Sequence, residues 1–316
     1  TGPSPTQPAT SIPMPTETLA PPTATPTASA TQDLRSTLSV NTTADPDTVG
    51  NTTLSLREAI RLATGDLALA ALSAAERARI SGAPGPLSAD TIRFAPAVFP
   101  PDVPATINVQ PPAGVNPNSG DDPNALPAPK PSLPPLSTGN DTIDGTGAGV
   151  VVSAGISPEI PMMFDGLTIT SSDNVIKAIE LRNFESAIVV RGVAEHNHIG
   201  GRTAGDGNIV VNNINGIVLR GGEGATTEVL GNKVGVDRAG QAAGNAGYGI
   251  LVTEGAHQSI VGASNAPNVV SGNTNGIGVT GDGTTDNAVS SNRVGTNAAG
   301  TAALPNGTGV VVADGA

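Results

Sequence analysis

From residue 208 onward the chain repeats itself at a fixed interval of 60 residues. Asn208-Ile-Val-Val-Asn-Asn213 returns as Asn268-Val-Val-Ser-Gly-Asn273, and Asn215-Gly-Ile217 returns as Asn275-Gly-Ile277. Asn232-Lys-Val-Gly235 comes back as Asn292-Arg-Val-Gly295, Ala239-Gly240 as Ala299-Gly300, and Gly249-Ile-Leu-Val252 as Gly309-Val-Val-Val312. Inside each module two apolar runs are introduced by glycine. They begin at Gly216, Gly249, Gly276 and Gly309, with spacings of 33, 27 and 33 residues. Sixty residues are therefore two turns of a winding, one longer than the other.

Each turn carries two or three runs of Val and Ile separated by Gly, Asn, Asp and Thr, with no helical periodicity between them. There is no room for a crossover helix, so a strand that recurs one turn later runs in the same direction. Such a chain coils as a parallel β-helix, in which each coil buries its apolar face only against its neighbours. The motif Asn-x-Val-x-x-Asn fits the corners. It spans Asn208 to Asn213, Asn268 to Asn273 and Asn287 to Asn292, with Thr227 to Asn232 as a variant. Asparagine tolerates the left-handed backbone of a sharp corner, and stacked copies can bond one another in a ladder. These asparagines are read as structural.

Several stretches closely resemble bacterial right-handed parallel β-helix proteins with the pectate-lyase-like fold. They are Gly-Asn-Thr-Asn-Gly-Ile at 272–277, the run from Asn292 to Gly307, and Ile-Asp-Gly-Thr-Gly-Ala-Gly-Val at 143–150. Upstream, Leu54-Ser-Leu-Arg-Glu-Ala-Ile60 resembles the CSLREA segment found near the start of many such proteins, with Leu54 in place of its Cys. The resemblance covers residues 36–316 and implies the fold. It says little of activity, because that fold hosts lyases, hydrolases, adhesins and non-enzymatic surface proteins.

Residues 1–33 are Pro, Thr, Ser and Ala with almost nothing to bury, a composition that predicts a disordered tether. Residues 36–42 alternate as a first strand. Ser55 and Glu58 have the capping-box form and open a helix Leu56–Ala63 that Gly65 ends, with Leu56, Ala59, Ile60 and Ala63 on one face. Such a helix would cover the open edge of the first coil. A second helix is expected at about 67–80. The expected class is all-β: a right-handed, single-stranded parallel β-helix (solenoid) with a short N-terminal α-helical cap and a disordered Pro/Thr-rich tail. The divisions are 1–33 as tether, 34–100 as first strand and helical cap, and 101–316 as β-helix. A Pro-rich loop falls at about 110–138. Ala316 aligns with Ala256, so the chain stops within a coil; further coils are expected to follow it, and the exposed last coil by itself is expected to fray or to associate end to end.

The net charge of −12 disfavours nucleic acid and anionic lipid as partners. The chain has no cysteine, hence no disulfide and no thiolate metal site. No apolar run is long enough to span a membrane. The Pro/Thr segment points to an extracellular or cell-surface protein tethered to a membrane or wall rather than crossing it, with polysaccharide or cell-envelope surface as partner.

A lyase on this fold needs clustered acids for Ca²⁺ with an Arg or Lys base, and a hydrolase needs converging carboxylates. The residues that break the module symmetry are the catalytic candidates: Asp237 and Arg238, whose partners are Asn297 and Ala298, together with Lys233. All three are placed in an excursion between strands. Asp282 and Asp286 could offer oxygens to Ca²⁺, the one cofactor an enzymatic reading would require, though loop-tip aspartates more often serve turns. His196 and His198 would share a face if extended, with His257 nearby one module on, as a three-histidine zinc site would need. No metal-site spacing is recognisable, however, and a solvent-facing corner is the expected reading. Without Trp, and with one Tyr and four Phe, the chain lacks the aromatic platforms of a lectin or a processive enzyme. The reading is a surface β-solenoid with a structural, adhesive or glycan-contacting role and no cofactor. The alternative is a polysaccharide lyase or glycoside hydrolase acting on acidic polysaccharide. Two carboxylates and an Arg or Lys meeting in one groove would favour that alternative.

Overall fold

The computed structural model describes residues 1–2, 35–46, 48–109, 130–131, 133–155, 164–221 and 226–316. The expected tether and most of the Pro-rich loop lie outside these residues. Residues Leu34–Ala316 form one compact unit.

The strands fall into three long sheets in which, from Leu167–Ile169 onward, every third strand along the chain is a neighbour. The first sheet runs from Arg35–Val40 through Ala89–Phe94, Thr142–Asp144, Val175–Lys177, Asn197–Gly200, Thr227–Leu230 and Ile260–Val261 to Ala288–Val289. The second stacks Ala105–Val109, Val150–Ala154, Glu180–Arg182, Ile209–Val211, Lys233–Val234, Val269–Val270 and Arg293–Val294. The third stacks Leu167–Ile169, Ser186–Val190, Asn215–Arg220, Tyr248–Thr253, Asn275–Thr280 and Thr308–Ala313. All these pairings are parallel; the antiparallel exception is Ile80–Ser81 on the outer edge of Arg35–Val40. This is the order of a parallel β-solenoid. Ile217 pairs with Ile250, Ile250 with Ile277, and Ile277 with Val310, so the alternating long and short turns of the sequence are the coils themselves.

Register puts like residues on top of one another. Ile92, Ile143, Ile176, Ile199, Val229 and Val261 form one buried column, and Val152, Leu181, Val210, Val234 and Val270 form a second. Ile188, Ile217, Ile250 and Ile277 form a third. Each such side chain contributes about 1.5–3 kcal/mol by leaving water. The corners between sheets are tight. A Cβ on Gly207 would lie 1.9 Å from the Gly231 carbonyl oxygen, and one on Gly244 would lie 1.8 Å from that of Gly272. Backbone passes over backbone here, and only glycine leaves room.

The asparagines pair from coil to coil. The Asn208 amide N–H and Nδ2 both donate to Asn232 Oδ1 at 3.0 Å, and Asn232 donates in the same way to Asn268. Asn213, Asn245, Asn273 and Asn306 make a second ladder. In the copies at 208–213 and 268–273 the two asparagines belong to different ladders, one at each end of a second-sheet strand, whereas the copy at 287–292 encloses the first-sheet strand Ala288–Val289. All but the outermost are buried.

The helix Leu56–Ala63 has its full capping box: Ser55 Oγ accepts from the Glu58 amide at 3.1 Å, and Glu58 accepts from the Ser55 amide at 2.9 Å. Its buried Leu56, Ala59 and Ile60 join the same core as Leu38 and Ile92. Arg57 clasps Asp45 at 2.6 and 3.2 Å. The second helix is shorter than expected, a 3₁₀ turn Leu69–Ala71 followed by Ala74–Arg77. Ser73 and Glu76 form a second capping box, which starts a new helix and leaves Leu72 extended before it.

Candidate functional site

Lys233 lies in a second-sheet strand rather than in the excursion, on an outward column between Ile209 and Val269, and it makes no ion pair among the described residues. The excursion proper is closed by a bridge between Val236 and Ala242. Asp237 Oδ1 accepts from the Gln241 amide at 2.8 Å, and the Asp237 carbonyl accepts from Gly240. Asn297, its module partner, makes the same contacts with the amides of Thr301 (2.9 Å) and Gly300. This position closes a turn in both modules, and either side chain can do it. Arg238 leaves its loop: its Nε donates to Glu180 Oε2 at 2.7 Å and its Nη2 to the Val150 carbonyl at 3.2 Å. Asp286 has a left-handed backbone (φ 57°) in the turn after Asn275–Thr280, where Thr284 Oγ1 bonds the Thr280 carbonyl. Among the described residues no three acids or histidines are grouped to hold a metal ion.

His196 is not extended: it has a left-handed backbone (φ 54°) and an exposed side chain, as at a solvent-facing corner, and it does not share a face with His198. His257 precedes a strand two coils on, about 10 Å away at the spacing of parallel strands, because one module is two coils.

Two grooves formed by the described residues lie on the outer surface. The first, about 260 Å³, lies on the first sheet and is lined by Lys177, His198, Arg202, Asp206 and Glu228 over Val175. Its charges are joined to one another. Lys177 Nζ lies 3.3 Å from Asp206 and 3.8 Å from Asp144, and Asp144 also meets Arg93 at 3.2 Å. Glu228 takes Arg202 at 2.9 Å and His198 Nδ1 at 3.2 Å. The second groove, about 400 Å³, lies where the first sheet turns into the second. Its walls are glycine corners, including Gly145, Gly147, Gly205 and Gly207, and its ionisable lining residues are Lys233 and Arg238.

Two pairs of acids were not singled out in the sequence. Asp90 and Asp141 stack at the entry to the first sheet, in the column continued by Asn174 and Asn197. Ser36 and Ser88 donate to Asp90, as does the Gly85 amide at 2.9 Å. Burial, and then the neighbouring Asp90 charge, pushes the Asp141 carboxyl up to about 7. The signal was legible, since Asp-Thr-Ile occurs at both 90–92 and 141–143. The second pair is Asp165 and Glu185 at the start of the third sheet. Burial raises both, with Arg220 and then Ser186 and Arg191 drawing Asp165 back down, and with Asp165 adding to the rise of Glu185. Arg220 also meets Glu254 at 3.3 Å. No sequence spacing announces this cluster, because strands Phe164–Asp165 and Ser186–Val190 meet only after a full coil.

Fold and grooves together define a parallel-stranded β-solenoid with charged grooves on the outside of its coils. Set against protein-family models, curated proteins and solved structures, the chain matches none.

Proposed function

We propose that this chain is a secreted or cell-surface solenoid of the right-handed, pectate-lyase-like kind, with a structural and adhesive role and a glycan-contacting outer face. The observation that carries this reading is the use already made of its charged side chains; Lys233 keeps its charge free, but its groove has no acid in its lining to hold Ca²⁺ beside it. Arg238 holds Glu180, Asp237 closes its own loop, and the first-groove cations and acids satisfy one another. A general base or a lyase cation has to meet substrate with its lone pair or charge available. A mixed row of donors and acceptors suits the hydroxyls of a neutral or weakly acidic glycan instead. The buried face of Leu56–Ala63 supports the reading of that helix as the cap of the first coil.

A second reading has two observations in its favour. The first groove brings Asp206 and Glu228 together with Lys177 and Arg202, though these four are paired among themselves. Asp165 and Glu185 lie beside Arg220 and Arg191, which is the combination of two carboxylates and a cation that a hydrolase or lyase would use. Against it, Asp165 is 1% exposed and lines neither groove. The test is a panel of immobilised polysaccharides, run with Ca²⁺ and with chelator, scoring retention and soluble product together. Retention without product, weakened by Glu228→Gln and Lys177→Gln, is the expected result. Product that vanishes in Asp165→Asn and Glu185→Gln would replace this reading with the enzymatic one.

A further inference from the structure

We infer that the second groove is a binding site for a tetrahedral oxyanion of the sulfate or phosphate class. The inference stands apart from the glycan reading of the first groove, which lies on another face and uses other residues. Three observations converge on it.

The ionisable residues lining this groove, in a chain of net charge −12, are both cations. Lys233 makes no ion pair among the described residues, because the residues stacked above and below it are Ile209 and Val269. Arg238 is held by Nε and Nη2, which fixes its plane, while Nη1 donates to no group among the described residues. A guanidinium fixed on one side and free on the other is preorganised for an anion.

The nearby acids are engaged elsewhere. Glu180 lies between Arg238 (2.7 Å) and Arg182 (3.7 Å). Asp206 and Asp144 are drawn toward Lys177 on the first-sheet side, and Asp237 accepts within its own loop. Counting Lys233, Arg238, Arg182 and Glu180, the local balance is positive.

The walls supply backbone donors. The amides of Gly147, Gly205 and Gly207 donate to no group among the described residues, and a Cβ at Gly147 or Gly205 would meet open space. Backbone amides left without an acceptor beside cations add donors to an oxyanion site, here from two separate corners rather than from one continuous run. The repeat provides an internal contrast. One module on, Arg293 replaces Lys233 but Ala298 replaces Arg238, so that coil keeps one cation of the two.

The test is calorimetric titration of the whole chain with sodium sulfate and with inorganic phosphate, in a chloride background of matched ionic strength. Saturable binding is expected, weakened about tenfold by Lys233→Gln and unchanged by Arg293→Gln. Because Lys233 has no ion pair to lose, this variant folds as the parent does; a matching melting temperature without sulfate confirms that. Arg238→Gln should weaken binding further, but its tether to Glu180 makes Lys233→Gln the deciding variant. Binding that fails to saturate, or equal responses from Lys233→Gln and Arg293→Gln, would overturn the assignment and leave sulfate acting as a general salt.

Discussion

At the scale of single residues, Asp141 is where chemistry and fold are most tightly joined. It occupies a ladder position that asparagine fills in the next two coils, yet it is an acid stacked on another acid. Its carboxyl, pushed up to about 7 by burial and by Asp90, is protonated in the folded chain under conditions where an unfolded aspartate is charged. A raised acid takes up a proton on folding. Its stabilising effect is therefore complete below the ordinary aspartate value of 3.8 and is lost as the pH climbs to about 7. The expected cost of crossing that window is on the order of 4 kcal/mol. Asp141→Asn should raise the melting temperature at pH 8 and flatten its dependence between pH 5 and pH 8. A lower melting temperature with the slope intact would show that the proton resides elsewhere. The sequence displayed both Asp-Thr-Ile tripeptides; what it hid was that they stack, since 51 residues separate Asp90 from Asp141.

At the scale of elements, the asparagine ladders do at the corners what the Ile and Val columns do inside. Asn232 accepts two hydrogen bonds from Asn208, gives two to Asn268, and sends Nδ2 to the Ile199 carbonyl. Asn232→Ala removes the acceptor for two buried donors, and each orphaned group costs about 1–3 kcal/mol. A loss of at least ~3 kcal/mol is expected in denaturant titration, against a much smaller one for Asn306→Ala in the part-buried last rung. Equal losses would mean that the ladder is not cooperative. The ladders and columns were largely legible, because a repeat of 60 prints the same residue at the same corner twice. The short second helix was not, because a capping box announces where a helix starts and not how far it goes. Lys233 was misplaced for a related reason: a two-residue strand looks like loop until its neighbours in the sheet are known.

At the scale of the whole molecule, winding was readable and grooves were not. A groove gathers residues from several coils: the first draws Lys177, Arg202 and Glu228 from three successive turns. Coil length varies early in the chain, where 23 residues separate Ile176 from Ile199 and 30 separate Ile199 from Val229, so no fixed interval predicts which outward side chains meet.

The coils themselves have a direction. In the ladders the backbone N–H of each asparagine points to the following coil and its Oδ1 faces the preceding one, while Nδ2 donates both ways. The stack is vectorial, like a row of magnets laid north to south. Two copies meeting with like ends would set donor against donor along the corners, whereas unlike ends would continue the row. A contact that continued the row would be heterologous, with no built-in closure, whereas a closed twofold contact would have to join two like ends.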